Sequence, residues 1–238
     1  MKKLWLLQVV GNALAFGALY RWLGLRDSKM SQLVMTAVFG LLILVPWLWL
    51  QDSTMAYCAD RSRGLWGTFR KSLSTLAIFS AVIVGFAAMF WALGRLEGPL
   101  ADAGQKTASW LTLHLRKPIK PQTWITIYIS LLWAVRWIVL PVLMLPIASG
   151  VARGVRGFRA SRVFWLQYLI ALVIGYWIPA LLMHWVPNLS GTAAQVASFV
   201  LRFGIAYLLM VTAWLAVAFF SARAGVRTIE GVSTVAAR

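Results

Sequence analysis

One arginine lies inside an uncharged, apolar stretch of the sequence, where its charge needs a chemical reason. Arg136 occurs in the segment LLWAVRWIVLP, close to Trp133 and Trp137. A guanidinium at the centre of a membrane helix costs about 2.5–3.5 kcal/mol on insertion scales, so it requires acceptors, an anion or an aromatic face. Trp133 and Trp137 can offer cation–π contacts. Pro141 leaves the carbonyl of Trp137 without its helical donor.

These features make Arg136, with Trp133 and Trp137 beside it, a candidate site for an anionic solute, a lipid phosphate or a partner's acid. Arg202 is a second candidate, near the end of an apolar run where its long stem can reach lipid head groups. The alternative for both arginines is structural, because a helix bundle can satisfy a guanidinium internally. For Arg136, the available acceptors include Gln8 and Asn12 of the first apolar run.

The other reactive side chains form no catalytic or metal-binding pattern that we recognise. His114 and His184 are far apart in the chain, and Cys58 is the only cysteine, which excludes an internal disulfide and a CxxC redox site. The sequence contains no GxSxG, P-loop, GxGxxG or HExxH motif. It therefore predicts no catalytic residue, no metal site and no cofactor. An integral membrane enzyme is accordingly the third of three functional hypotheses.

The acidic residues are few and fall outside the apolar runs. They are Asp27, Asp52, Asp60, Glu97, Asp102 and Glu230. Proton-coupled pumps and transporters commonly use carboxylates within their spans. The sequence therefore argues against an acid-based proton relay and against a membrane aspartyl protease, which needs paired aspartates.

Composition places the chain in the membrane. Its 238 residues are 61% hydrophobic and 12% charged, whereas soluble domains are about 25% charged. The net charge of +17 comes in short clusters at the ends of apolar runs, which fits topology signals and anionic head groups better than nucleic acid. We expect membrane lipids, and in addition other membrane protein subunits, as partners, and no nucleic acid.

The sequence predicts an all-α integral membrane protein, a polytopic bundle of about six transmembrane helices. The predicted spans form a single transmembrane domain over residues 1–222: 4–20, 33–50, 73–94, 124–152, 164–186 and 195–222. Residues 100–116, between the third and fourth spans, form an amphipathic helix typical of the membrane interface. Gly104 weakens this helix, and Leu113 falls on its polar side.

The distribution of cations predicts the orientation. With the N-terminus inside, the inner segments carry thirteen Lys and Arg residues and the outer segments eight. This bias favours a plasma (inner) membrane protein with both termini in the cytosol, where residues 223–238 form a short tail. The first apolar run begins like a signal peptide. Because further spans follow it, we expect it to be retained, with cleavage as the alternative.

Two similar basic segments fall in the predicted inner loops. RGLWGTFRKS follows the second span, and RGVRGFRASR follows the fourth. The similarity reflects either a repeat of two-helix units or independent selection for inner-loop cations. We expect the cations to contact inner-leaflet head groups; they are Arg63, Arg70, Lys71, Arg153, Arg156, Arg159 and Arg162.

Three functions therefore remain open on the sequence. The first is a non-catalytic accessory or scaffold subunit that binds lipids or partner transmembrane helices. The alternative is a small permease for an anionic or amphiphilic solute with Arg136 in its binding site, and the third is an integral membrane enzyme. A water-filled cavity reaching Arg136 would favour the permease, and a sealed bundle around Arg136 would exclude it. Co-purification with a partner that contributes acids or apolar surface would favour the subunit.

Overall fold

The computed structural model describes residues 2–25, 29–62, 64–152, 162–187 and 190–236, with side chains not described at 162–164 and beyond 222. The described residues form helices and no strand. Six helical stretches among them are long and apolar enough to cross a membrane: Lys2–Leu23, Met30–Ala59, Leu76–Leu115, Pro121–Ala152, Trp165–His184 and Thr192–Ala222. The all-α, polytopic class predicted from the apolar runs is confirmed.

The chain folds as two compact units. The first comprises Met1–Ser80 and Pro146–Arg238, and the second comprises Ala81–Leu145. In chain order the α-helices are α1 Lys2–Leu23, α2 Met30–Ala59, α3 Gly64–Ser72, α4 Leu76–Gly94, α5 Glu97–Leu115, α6 Pro121–Ala134, α7 Leu140–Ala152, α8 Arg162–Leu172, α9 Ile178–His184 and α10 Thr192–Ala236.

Two helices are longer than their predicted spans. Helix α2 continues past Leu50 to Ala59, because the segment QDSTMAYCA contains neither glycine nor proline to stop it. Helix α10 has 45 residues, which is roughly 68 Å at 1.5 Å per residue. It exceeds the roughly 30 Å hydrocarbon core and includes most of the predicted tail at 223–238.

The core of the first unit contains a polar layer as well as apolar side chains. Helix α2 is buried on all sides between Leu50 and Met55, where α1, α3 and α10 pack around it. The buried residues here are Gln51, Asp52, Ser53 and Thr54. Meanwhile the outward faces of α1 and α2 expose leucine, valine and phenylalanine. This inverted arrangement suits a lipid environment, where apolar side chains gain nothing from burial and polar groups must find partners inside.

The second unit contains a helical hairpin made by α5 and α6. Helix α5 ends at Arg116, which adopts a left-handed conformation with φ of 50°. The backbone of Ile119 then donates to the Thr112 hydroxyl at 3.1 Å and closes the tip of the hairpin. Farther from the tip, the Thr107 and Tyr128 hydroxyls lie 3.3 Å apart.

Gly104 sets the distance between α5 and α6. A Cβ atom placed there would lie 2.8 Å from the backbone N and Cα of Ile125. Gly104 and Ala108 are the buried residues of α5, and their spacing of four residues is the small-xxx-small pattern of close helix pairs. The glycine that weakens the isolated helix is therefore what allows α6 to pack against it. The amphipathic helix predicted at 100–116 is α5; its position in the membrane interface stays a prediction.

A π-helical segment of five residues interrupts a helix at two places in the described ranges, each time just before a proline. Val135–Val139 joins α6 to α7 ahead of Pro141, and Val173–Trp177 joins α8 to α9 ahead of Pro179. A proline ring clashes with the carbonyl four residues before it in a regular α-helix. The wider π turn moves that carbonyl away, so these helices continue through their prolines.

The second π segment also makes a close contact. A Cβ atom at Gly175 would lie 2.7 Å from the Cβ of Ala213 on α10. We expect Gly175→Ala to destabilise the protein by about 1–3 kcal/mol through overpacking, measured as a lower thermal unfolding temperature in detergent. Adding Ala213→Gly should restore most of the loss. Gly204→Ala on α10 is the control, because a Cβ atom there meets open space. Equal stability of Gly175→Ala and wild type would contradict this interpretation.

Candidate functional site

Arg136, the arginine singled out by the sequence, is held within the second unit by an acid and an aromatic ring. It lies on the π segment Val135–Val139. Its Nη1 donates to Glu97 Oε1 at 2.8 Å, and its Cζ lies 4.3 Å from the centroid of the Phe90 ring. Glu97 begins α5, so the ion pair joins the base of the α5–α6 hairpin across from its tip.

Gly94 completes this contact. A Cβ atom at Gly94 would lie 3.0 Å from Arg136 Nη2, so the guanidinium rests directly against the backbone at the end of α4. The cation–π contact described for Arg136 is with Phe90, whereas Trp133 and Trp137 were expected to supply it. Trp137 packs edge-on against the Phe90 ring, at 5.1 Å between centroids. Trp133 lies on α6, one turn before Trp137.

Arg202 lies in the first unit and is buried. Its Nε donates to the carbonyl of Ser198 at 3.3 Å. Its Nη1 donates to the carbonyls of Leu182, at 3.3 Å, and Trp185. These two carbonyls lie at the C-terminal end of α9, where backbone acceptors have no helical donor. Arg202 therefore caps α9 from α10, and this contact supplies a structural role for the charge.

The predicted head-group cations are only partly within the described residues. Arg70 and Lys71 are exposed on α3. Arg63, Arg153, Arg156 and Arg159 lie outside the described residues, as does the side chain of Arg162, whose backbone begins α8. Of these two similar basic segments, the structure therefore describes mainly the first, RGLWGTFRKS, in which Gly64–Ser72 forms α3.

Asp52 is the polar residue that sequence reasoning missed. It lies inside α2, which as a whole is long and apolar enough to span a membrane, two residues beyond the span predicted at 33–50. Its side chain has no exposed surface. Oδ2 contacts the Thr75 hydroxyl at 2.9 Å, and Oδ1 has no hydrogen-bond partner among the described residues.

Serines and Trp49 connect the neighbourhood of Asp52 to α3. The Ser53 and Ser72 hydroxyls lie 2.6 Å apart, and Ser72 donates to the Phe69 carbonyl at 2.9 Å. Trp49 Nε1 donates to both Ser72 Oγ and the Phe69 carbonyl at 3.0 Å. These hydrogen bonds hold α3 against α2, and they fix which side of α3 points away from the unit.

A second set of polar contacts joins α1 to α2 through residues that flank Asp52 and Ser53. Gln8 donates to Gln51 at 3.3 Å and to Thr54. Asn12 donates to Gln8 Oε1 at 2.6 Å and accepts from Trp47 Nε1 at 2.9 Å. Gln8 and Asn12, considered from the sequence as acceptors for Arg136, are thus engaged by α2. Polar pairs of this kind hold transmembrane helices together.

Two apolar grooves lie on the first unit. One of about 420 Å³ runs between α1 and α2, from Asn12 and Trp47 to Leu19 and Trp22. The other, of about 630 Å³, runs between α1 and α10. Its walls are Trp5, Leu6, Thr212, Leu215, Ala216, Phe219 and Phe220, with Lys2 also on its lining. Each groove has the dimensions and lining of a site for an apolar chain.

A comparison with protein-family models and searches of curated proteins and of solved structures find no match for this chain. The fold and the site therefore define its class, a multi-pass α-helical membrane protein. Any functional assignment rests on the chain's own residues.

Proposed function

We propose that this chain is a non-catalytic accessory subunit of a membrane, which binds anionic phospholipid and partner helices. The observation that carries the proposal is the groove between α1 and α10. Its lining is apolar along α10, from Leu215 to Phe220, and cationic at Lys2. A lipid has the same division, with an acyl chain joined to a charged phosphate.

A second cation lies next to the groove. The guanidinium of Arg61 lies 5.2 Å from the centroid of the Phe219 ring, which lines the groove. Lys2 and Arg61 come from residues far apart in sequence, and both are exposed. The phosphate of a lipid bound there would lie near two positive charges, and the acyl chain of the same lipid would contact Leu215 and Phe220. Each such charge near a membrane surface is worth about 1 kcal/mol toward anionic lipid.

Helix α3 extends the cationic surface. Trp66 is 82% exposed, and Arg70 lies one turn further along the same face. Lys71 is exposed beside them, whereas Thr68 and Ser72 are buried against the unit. An exposed tryptophan followed by cations is typical of a segment that rests among lipid head groups. This pattern supports the head-group role proposed for Arg70 and Lys71, and by extension for the cations of the second basic segment.

The proposal includes an orientation. Lys2, Arg61, Arg70 and Lys71 all lie in segments assigned to the cytosolic side when the N-terminus is inside. The cytosolic leaflet carries anionic lipids. The same orientation is supported by the groove, by α3 and by the distribution of cations. In this orientation the protein lies in the inner membrane of the cell, with both termini in the cytosol.

Charge removal tests the lipid site. We expect the double variant Lys2→Gln, Arg61→Gln to bind phosphatidylglycerol about thirtyfold more weakly than wild type, because two charges contribute about 2 kcal/mol. Native mass spectrometry of protein extracted in a gentle detergent and titrated with phosphatidylglycerol or phosphatidylcholine measures the affinity. Phosphatidylcholine should bind more weakly and respond less to the substitutions.

The control removes the same charge elsewhere. Lys106→Gln, Lys117→Gln alters exposed cations of the α5 region and should leave phosphatidylglycerol binding within twofold of wild type. An equal loss of phosphatidylglycerol affinity in both double variants would mean that net charge alone explains the binding, and it would contradict a site at the groove. Failure of wild type to retain any phosphatidylglycerol would contradict the proposal itself.

The contact around Arg136 favours the subunit over the permease. A permease site needs a guanidinium available to a solute, whereas Arg136 is paired with Glu97 and stacked on Phe90. The partner-binding part of the proposal is supported by the outward faces of the hairpin, where Leu113 is 77% and Leu131 is 59% exposed. These faces fit the apolar surface of another transmembrane helix, and the same gentle extraction will show whether one co-purifies.

A further inference from the structure

We propose that Asp52 is a proton-binding site in the core of the first unit and that its carboxyl group is neutral in this structure. This proposal is independent of the lipid site. It rests on the position of Asp52, on the number of donors around it and on the bonds of Thr75.

The first argument is burial without compensation. The Asp52 side chain has no exposed surface. A buried carboxylate ordinarily has a cationic partner or several hydrogen-bond donors, because an ionised group out of water otherwise carries a large desolvation cost. Here the described residues supply one contact, from the Thr75 hydroxyl to Oδ2 at 2.9 Å, and nothing to Oδ1. One donor is too few for a full negative charge.

The second argument is the supply of hydrogens at Thr75. Its hydroxyl has one hydrogen but two acceptors within reach, Asp52 Oδ2 at 2.9 Å and the Ser72 carbonyl at 3.1 Å. A protonated Asp52 resolves this competition, because its own O–H donates to Thr75 Oγ1 and leaves the Thr75 hydrogen for Ser72. The same heavy-atom distances then hold two hydrogen bonds where the ionised form permits one.

No cation among the described residues compensates Asp52 instead. The titratable groups with described side chains on the elements packed around it are Lys2, Lys3, Tyr20, Arg21, Tyr57, Cys58, Arg70, Lys71, Arg202 and Tyr207, with Lys29, Asp60 and Arg61 just outside α2. None of them forms an ion pair or a hydrogen bond with Asp52 in the described part of the chain. The nearest polar layer contributes only neutral groups, on Ser53, Ser72 and Thr75.

The proton has a structural consequence. Ser72 ends α3 and Thr75 immediately precedes α4, so the Thr75–Ser72 bond holds the turn between these helices. Loss of the proton draws the Thr75 hydrogen onto the Asp52 carboxylate and releases that bond. Because the folded state keeps a proton that the unfolded chain gives up, its stability falls as the pH rises above the range in which an exposed aspartate ionises.

Infrared spectroscopy tests the proposal on the whole protein in detergent. At mildly acidic pH we expect a carbonyl band of a protonated carboxylic acid that shifts on incorporation of aspartate labelled with ¹³C at the side-chain carboxyl. The band should disappear in Asp52→Asn and persist in Asp60→Asn, which removes an exposed acid eight residues further along the chain. Thr75→Val should move its frequency, because the hydrogen bond is lost.

The stability profile gives a second readout. The unfolding temperature of wild type should fall by several degrees between mildly acidic and alkaline pH, and that of Asp52→Asn should stay level. Absence of an aspartate-dependent band in wild type would overturn the proposal, and so would a band that survives Asp52→Asn. If Asp52→Asn does not fold, the labelled band measured in wild type and in Asp60→Asn still decides the protonation state, because Asp27 and Asp102 are the remaining aspartates and can be replaced in turn.

Discussion

Replacing Gly104 with leucine is expected to separate α5 from α6 and to destabilise the second unit by about 3 kcal/mol or more, at the upper end of overpacking effects. Even a Cβ atom at this position would lie 2.8 Å from backbone atoms of Ile125, and backbone cannot rotate away as a side chain can. The whole hairpin must therefore open. Thermal unfolding in detergent, followed by circular dichroism, measures the loss.

Gly85→Leu is the matched control, on α4 of the same unit at a helical position with open space around it. It should unfold close to the wild-type temperature, because leucine also favours helix over glycine. A cysteine pair replacing Thr107 and Tyr128, whose side chains meet across the hairpin with hydroxyls 3.3 Å apart, should be joined by a short bismaleimide cross-linker in the Gly85→Leu background and not with Gly104→Leu. Comparable cross-linking in the two backgrounds would contradict a close α5–α6 contact set by Gly104.

The Arg136–Glu97 pair should respond unequally to loss of either partner. Arg136 is 19% exposed and Glu97 is 56% exposed. Glu97→Gln leaves a guanidinium beside Phe90 without its charge partner, and its Nε already has no acceptor among the described residues. We expect a loss of about 2 kcal/mol, since an arginine in an apolar setting carries a cost of this order. Arg136→Leu leaves a carboxylate that water can reach and should cost less.

A double-mutant cycle checks this asymmetry. The variant Glu97→Gln, Arg136→Leu should recover most of the stability lost by Glu97→Gln alone. Asp102→Asn, at an exposed acid on the same helix, should be neutral. A larger loss for Arg136→Leu than for Glu97→Gln would show that the arginine acts by contacts other than this ion pair, and would reopen its role as a binding site.

The class of the protein could be predicted from the sequence because apolar runs of membrane length are a strong local signal. Arg136 could be singled out for the same reason, as a charge within such a run. Its partner could not, because Glu97 lies 39 residues away along the chain in a segment interpreted as a loop. Pairing across a hairpin depends on register, which hydropathy does not record.

Asp52 was missed for a different physical reason. Hydropathy falls sharply at Gln51, so the predicted span ended at Leu50. The helix continues because α1 and α3 supply partners for the polar side chains beyond that point. A signal was present in the sequence, since no helix-stopping residue occurs between Pro46 and Gly64. The role of Gly104 could not be predicted either. Helix propensity concerns a single helix, whereas the close approach that Gly104 allows depends on a second helix packed against it.

The two π turns bear on how this sequence can change in length. A π turn holds one residue more than the regular helix on either side of it, so the flanking segments keep their phase. Loss of one codon at Val135–Val139 or Val173–Trp177 therefore leaves every later side chain on its original face. The same deletion elsewhere in these helices rotates the remainder of the helix by about 100°. Natural variants with one residue fewer at either site should also lack its proline, because a regular helix would bring the proline ring against the carbonyl four residues before it.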